Sequence, residues 1–396
     1  MPSFEEARKI ILDSVVPLGV EKVEILTATG RVLAEDIAAP WDMPLWDNTA
    51  MDGYAVHAVD CPGGGTLKLA GFLPAGDHMI AEVERGTAVK IMTGAPIPPG
   101  VDAVVPYEET EEQDDRVTIK TAVKPGDHIR FKGEDVRSGE TVLPAGTLLR
   151  PSEISMLASF GKVFVPVYRR ARVAILSTGD ELVEPGEALA PGKIINSNSL
   201  ALAAAVTQAG GIPVMLGIAR DNRESLREKL VEGLRADVLI TSAGVSAGDC
   251  DYVRDVLTEL MVVQAFWRVD IKPGRPTAFG LRDGKPIFSL PGNPVSSLLT
   301  FEEFVRPALL KMMGHSRVLR PMVKATLQMD IPKKPGRVNF IRVAVTQENG
   351  EFLVQSAGKQ DTGFLKTLLL ADGIAVIPAE KQDLRAGDKV DVHLLD

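Results

Sequence analysis

The feature that most constrains this chain is a change of hydrophobic rhythm, repeated along its length. From Arg172 to Gly314 short apolar runs alternate with helical stretches. RVAILST precedes SLALAAAVTQAG, IPVMLGIA precedes RESLREKLVEGL, DVLITSA precedes DYVRDVLTEL, and KPIFSL precedes PVSSLLTFEEFVRPALLKMMG. Strands that alternate with helices predict a doubly wound parallel sheet. The segment AFWRVDIKPGRPTAFG lies between the last two units. Upstream, from about Thr66 to Thr147, the period falls to two, in TLKLAGF, TAVKIM, DAVVPY and RVTIKTAV, so this region reads as all-β. Helical pieces flank it. Ser3-x-x-Glu6 is a capping-box pattern that starts a helix near Ser3, to end before Gly19, and a second helix runs from Pro151 to Phe160 with Gly161 past its end. After Gly314 alternation returns in RVNFIRVAV, EFLVQSA, GIAVIP and KVDVHLL, predicting a small β-barrel-like domain. The expected fold class is therefore α/β plus β, in four parts: a discontinuous helical and mixed domain (1–45 with 140–168), an inserted β-domain (46–139), a doubly wound α/β domain (169–317) and a C-terminal β-domain (318–396).

Composition narrows the function classes. The chain has 396 residues, 45% of them hydrophobic and 24% charged, which is ordinary globular usage for two to three domains. A net charge of −9 opposes nucleic acid as a partner. The acidic run from Glu108 to Asp115 carries much of that excess and reads as a solvated loop. Two cysteines and five scattered histidines give neither a disulfide framework nor a zinc spacing, so a reducing cytoplasm fits. No run approaches the ~18 apolar residues of a membrane span, and the N-terminus is acidic and amphipathic, so no membrane association is expected.

In an open α/β sheet ligands bind outside the carboxyl ends of the strands. The turns expected there read Ser177-Thr178-Gly179-Asp180-Glu181, Asp221-Asn222, Ser242 to Asp251, Lys272-Pro273-Gly274-Arg275-Pro276 and Leu290-Pro291-Gly292-Asn293-Pro294. Glycines and serines at helix N-termini expose N–H groups suited to an anion. Glu181, Asp221, Asp249 and Asp251 would repel that anion, and a hard cation such as Mg²⁺ between them reconciles the two. Arg268, Lys272 and Arg275 add positive charge. The crevice thus reads as built for a phosphorylated ligand with Mg²⁺. Each feature alone has a plainer reading: acidic residues after strands often cap helices, and Pro291-Gly-Asn-Pro294 alone could be a stiff turn. Convergence on one sheet edge favours a site.

Neither a P-loop nor a G-x-G-x-x-G motif is present, which removes ordinary NTPase and dehydrogenase readings. Gly244-Val245-Ser246-Ala247-Gly248 matches the G-x-S-x-G nucleophile elbow. Asp249 and Asp251 beside it place carboxylates where an oxyanion would need donors, so a serine hydrolase is disfavoured. In the β insertion, 47–54, 92–98 and 130–135 mix turn formers with hydroxyls and charges, each alone more often a turn than a site.

Taken in order, N-T-A-M-D-G-Y-A (48–55), M-T-G-A-P-I-P (92–98), G-E-D-V-R (133–137), S-T-G-D-E-L (177–182), N-S-N (196–198), I-K-P-G-R-P (271–276) and L-P-G-N-P-V-S (290–296) resemble the MoeA family of molybdopterin molybdotransferases and the gephyrin E domain, across nearly the whole chain. The resemblance implies an elongated subunit with a MogA-like α/β domain, in a homodimer that inserts molybdenum from molybdate into adenylylated molybdopterin with Mg²⁺ and releases AMP. By the same resemblance Asp52, Thr93, Arg130 and Asp135 of the insertion and Glu181, Asp221 and Asp251 of the α/β domain match residues of the family's active cleft, the two groups meeting across the dimer interface. Glu181, Asp221 and Asp251 are the implied Mg²⁺ ligands. Lys272, Pro273, Arg275, Ser296 and Arg337 match positions associated with molybdate or the terminal phosphate. Ser177, Thr178, Gly179, Ser246, Arg268, Pro291 and Pro294 complete the expected binding set. The chain departs from the family pattern at Ala243 and Ala247, in Arg268 and Arg275 where lysine is frequent, and in the less serine-rich 361–367. Two other readings stay open: a molybdopterin adenylyltransferase, whose fold the α/β domain shares and which could also be the upstream partner, and a dimeric scaffold of gephyrin type.

Overall fold

The computed structural model describes residues 1–78, 81–243 and 252–395, which form two compact units. One comprises Glu35–Ala145 with Ser155–Val163; the other comprises Met1–Ala34, Gly146–Ile154 and Phe164–Asp396. None of the helices among the described residues is long and apolar enough to cross a membrane.

The first unit is built on a six-stranded sheet in the order Ala103–Pro106, Gly53–Val56, Thr87–Ile91, Gly65–Leu73, Arg116–Ile119, Thr110–Gln113. Only Gly65–Leu73 and Thr87–Ile91 pair in parallel. The period of two sends neighbours to opposite faces: Tyr54 and Val56 join one buried cluster with Leu67 and Val105, while Ala55 joins another with Val89 and Ile91. Gly53 is obligatory there, since a Cβ would collide with the Val105 carbonyl on the adjacent strand. The acidic run is not the solvated loop its charge suggested. Its Thr110–Gln113 pairs antiparallel with Arg116–Ile119 through the two-residue turn Asp114-Asp115, Asp114 taking a left-handed φ of +51° that Asp tolerates. Val117 and Ile119, buried on the partner strand, anchor the hairpin, while Glu111 faces water and Glu112 accepts from the Tyr54 hydroxyl and the Lys90 ammonium.

In the second unit the four strands expected from the alternation form a parallel array, Ile212–Ala219, Arg172–Thr178, Val238–Ser242, Lys285–Leu290. Around the connecting segment 265–280, left unassigned by its sequence, the chain adds Ala278–Arg282 antiparallel to Lys285–Leu290, and then Val263–Phe266 at the edge. Its signal was Asp283-Gly284, both at positive φ, which is hairpin chemistry. The sheet is doubly wound. Leu202 and Val206 of the helix Ser197–Gln208 pack on Val173, Ile175 and Ile240 in one core, and Leu226, Leu230, Val253 and Leu257 of Arg223–Gly233 and Tyr252–Glu259 pack on Ala174, Leu176 and Leu239 in the other. The expected last helix is continuous but widens over Phe301–Val305, between Pro294–Thr300 and Arg306–Met312, because Pro307 has no N–H to bond back.

The C-terminal strands close into a five-stranded barrel, Val338–Glu348, Glu351–Ser356, Met322–Leu327, Lys389–Leu394, Gly373–Ile377, with the last pairing back to the first. Closure removes exposed edges. Ile271–Lys272 adds in parallel beside Val338–Asn339, which fixes the I-K-P-G-R-P turn against the barrel. The N-terminal helix Phe4–Ser14 begins with the expected capping box, and Phe4 meets Phe340 of the barrel at 4.9 Å and Phe304 of the long helix at 5.7 Å between ring centres.

Candidate functional site

Chain order reverses between Arg172–Thr178 and Val238–Ser242: the path leaves the first strand to one side, then returns to the other. That is the topological switch point where α/β sheets hold ligands. Strand register brings Ser177 beside Ser242 and Ser242 beside Leu290, so the three turns start at one level. A pocket of about 430 Å³ opens there, lined by Ser177, Thr178, Glu181, Asn198, Pro291 and Pro294 among others.

Asparagines stitch this edge together. Ser177 Oγ donates to Asn196 Oδ1 at 2.9 Å, and Asn196 caps the helix Ser197–Gln208 by accepting from the Ser199 N–H. The Asn198 amide donates to Ser242 Oγ at 3.1 Å and to the Gly292 carbonyl at 2.7 Å. One side chain thus ties two strand-end turns, each bond contributing about 1 kcal/mol. N-S-N marked the family resemblance in the sequence, but no spacing argument gave Asn196 and Asn198 a role.

The carboxylates are partly engaged. Asp180 and Asp221 exchange bonds, each carboxylate accepting from the other's backbone N–H, at 3.2 and 3.3 Å. Helix capping falls to Asn222, whose Oδ1 accepts from Ser225 N at 2.9 Å, so the plainer reading holds for Asn222 and not for Asp221. Gly179 has φ +143°, and a Cβ there would overlap the Glu181 carboxylate, which folds over it. Glu181 and Asp221 are exposed hard-oxygen donors, a set that suits Mg²⁺ bound mainly through ligand phosphate and water. No cluster of three or more Asp, Glu, His or Cys among the described residues is arranged as a closed metal cage. Asp251 and Ser246, with Asp249 and the whole G-x-S-x-G stretch, lie outside the described residues.

A second cavity, a groove of about 760 Å³, adjoins the first and shares Pro276, Pro291 and Asn293 with it. Lys272, Pro273, Arg275, Ser296 and Arg337 all line this groove. Lys272 and Arg275 are exposed, with side chains that have no partner among the described residues; Arg337 leans toward Asp270 at 3.8 Å. The turn is locked from behind, since Val269 N and Thr277 N both donate to the Arg275 carbonyl and Thr277 Oγ1 donates to the Gly274 carbonyl. The barrel domain adds Lys333, Lys334, Gln360 and Thr362 to the lining; of these the sequence marked only Thr362, within the less serine-rich 361–367, as a departure from the family pattern. Burial lowers the pKa of Lys333, and its ammonium donates to the carbonyls of Ala379 and Lys381. Arg268 lines neither cavity.

In the other unit Asp52 and Thr93 come together. Asp52 Oδ1 accepts from both the N–H and the hydroxyl of Thr93, each at 2.7 Å, and these bonds hold its carboxyl below the usual range. Arg130 lies on Ile129–Arg130, paired with Asn48–Thr49, and is exposed, as is Asp135.

A switch-point pocket that adjoins a groove lined by Lys272, Arg275 and Arg337, on a doubly wound domain followed by a small barrel, defines a multidomain protein of the α/β class. Family models resolve the class: the MoeA N-terminal region (domain I and II) matches residues 2–161, a probable molybdopterin binding domain matches 174–311, and the MoeA C-terminal region (domain IV) matches 324–395. The chain belongs to the MoeA family. A Haemophilus influenzae protein named molybdopterin molybdenumtransferase is 37% identical, with all of both chains covered, and Mycobacterium tuberculosis molybdopterin molybdenumtransferase 2 is 37% identical, with 99% of each covered. The crystal structure of the molybdopterin biosynthesis moeA protein from Pyrococcus horikoshii superposes with a TM-score of 0.84 at 35% identity, over 100% of both chains.

Proposed function

We propose that this protein is a molybdopterin molybdenumtransferase of molybdenum cofactor biosynthesis, which inserts molybdenum from molybdate into adenylylated molybdopterin and releases AMP. The observation that carries the reading is the junction of the two cavities. A hydrogen-bonding pocket at the switch point shares a wall with a groove that presents Lys272, Arg275 and Arg337. An organic phosphate ester and a small dianion can therefore be held side by side, and fixed cations match the dianion's charge.

Within this reading Ser177, Thr178, Pro291 and Pro294 bound the organic ligand, while Lys272, Arg275, Ser296 and Arg337 hold oxyanions. Glu181 and Asp221, with Asp251, would hold Mg²⁺, which supplies charge neutralisation at the phosphates. Asp52, Thr93, Arg130 and Asp135 of the inserted β-domain contribute across the interface of a cytoplasmic homodimer, and an adenylyltransferase supplies the substrate. The four-part division 1–45 with 140–168, 46–139, 169–317 and 318–396 belongs to the same proposal. The test is single-turnover AMP release from adenylylated molybdopterin, with and without molybdate, in Mg²⁺ or EDTA. Release that needs both ions supports the reading. No release from folded protein would favour the adenylylation step or a scaffold.

A further inference from the structure

Glu181 lines the switch-point pocket, yet its carboxylate accepts no hydrogen bond among the described residues, so its place is set by the main chain that carries it. That main chain is held carbonyl by carbonyl. The Glu181 carbonyl accepts from Ile194 N at 2.9 Å and the Val183 carbonyl from Asn196 N at 2.8 Å, through the short parallel pair Leu182–Val183 and Ile194–Ile195. The carbonyls on either side of Glu181 are held by cations. Lys193 Nζ donates to the Asp180 carbonyl at 2.5 Å, and Arg220 Nη1 donates to the carbonyls of Asp180 at 3.4 Å and Leu182 at 3.2 Å. Neither cation forms an ion pair among the described residues, although the carbonyls they hold belong to Asp180 and to the residue after Glu181, and Arg220 directly precedes Asp221.

The two cations come from different elements, and strand order brings them together. Arg220 follows Ile212–Ala219, which pairs with Arg172–Thr178 in a register that sets Ala219 beside Thr178. Its main chain is fixed by the start of the next helix: its N–H donates to Ser225 Oγ at 3.1 Å, and its carbonyl accepts from Asn222 N at 2.7 Å. From there the guanidinium reaches back to the turn 179–182. Lys193 ends the exposed loop 185–193 and closes it onto the same Asp180 carbonyl. A charged donor on a carbonyl holds it more firmly than a neutral one, by an amount that water reduces at an exposed site. Carboxylates gathered along one edge repel one another, which pushes an unrestrained turn outward. The two cations oppose that movement without neutralising Glu181 itself.

We infer that Lys193 and Arg220 are positioning residues for Glu181: by holding the Asp180 and Leu182 carbonyls they fix the carboxylate offered, beside Asp221, to a phosphate-bound divalent ion. The inference rests on the proposed function, in which Glu181 and Asp221 are donors to Mg²⁺. Titration of the full-length protein with Mn²⁺ in the presence of AMP, followed by the EPR signal of the free ion, tests it in wild type, E181Q, K193M, K193Q, R220M and R220K. E181Q reports whether the carboxylate holds the ion at all. The expected result is Mn²⁺ binding weakened about threefold or more in K193M and in R220M, with smaller losses in K193Q and R220K, which keep a donor. Hydrogen exchange of the 179–183 amides should quicken in K193M and R220M. In turnover, K193M should need more Mg²⁺ for half-maximal AMP release and reach the wild-type rate at saturating Mg²⁺, whereas damage to the fold would lower the maximal rate and Tm together. A purely electrostatic role has the opposite sign, because cations beside the site repel the ion: tighter Mn²⁺ binding in both K193M and K193Q overturns the inference. So does wild-type binding in K193M and R220M while E181Q binds weakly. If E181Q binds Mn²⁺ like wild type, or wild type binds none, the reading of these carboxylates as ion ligands fails, and the inference falls with it.

Discussion

Gly274 sits in the turn that carries Lys272 and Arg275, and replacing it with alanine tests how tightly that turn is built. Its φ is +98°, where an L side chain costs about 1–2 kcal/mol. A Cβ would lie 2.5 Å from Thr300 Cγ2 and 3.1 Å from Ile271 Cδ1. Thr300 is fully buried, and its hydroxyl donates to the carbonyls of Ser296 and Ser297, so its methyl cannot swing aside without losing those bonds. Overpacking of this kind costs roughly 1–3 kcal/mol, which brings the expected loss for G274A to about 2–5 kcal/mol. T300S removes Cγ2 and keeps the hydroxyl. The double variant should therefore recover the steric part and retain the backbone part of about 1–2 kcal/mol. The assay is urea unfolding followed through Trp267 fluorescence, with Trp41 and Trp46 replaced by Phe, alongside molybdate titration. G274A should also bind molybdate more weakly, since the turn must shift. A loss below about 1 kcal/mol, or a double variant no more stable than G274A, would refute the packing argument.

Other expectations follow from single contacts. D135A and D221A should abolish AMP release while leaving the circular dichroism spectrum and Tm near wild type; retained turnover would remove those carboxylates from the mechanism. N198A loses bonds to Ser242 and Gly292, about 1–3 kcal/mol in all, and should slow AMP release in protein that remains folded. Glu153 has its pKa lowered to about 2, first by hydrogen bonds from the Arg150 side chain. A depressed carboxyl pKa gives stability that is full above the ordinary value of 4.5 and is lost as pH falls toward 2, so the stability gap between wild type and E153Q should close over that window in urea titrations.

What the sequence disclosed follows from how far each signal reaches along the chain. The four parallel strands were legible because each is an apolar run flanked by turn residues, and the capping box at Ser3 because both partners lie within one helical turn. The strand Ala278–Arg282 escaped, although Asp283-Gly284 marked its hairpin, because it is short and starts two residues after the Pro- and Gly-rich I-K-P-G-R-P turn. Charge misled at Glu111 and Glu112, where the buried residues that fix the strand, Val117 and Ile119, sit on its partner. Of the site, Lys272 and Arg275 were legible among the strand-end turns, whereas Ser296 was marked only by the family resemblance. Lys333, Gln360 and Thr362 were not legible as lining, because the barrel must close before they face those residues.

The wall common to the two cavities is made by Pro276, Pro291 and Asn293. The prolines carry no backbone N–H and have a fixed φ, so at these positions the junction is stiff and offers an anion no main-chain donor. Donors lie to either side: the Ser242 hydroxyl in the pocket, ammonium and guanidinium groups from Lys272 and Arg275 in the groove. A ligand with an organic body and a phosphate is therefore sorted by chemistry along the cleft, and a free dianion gains most on the cationic side. Turn residues that looked like punctuation in the sequence thus keep two binding environments adjacent and distinct.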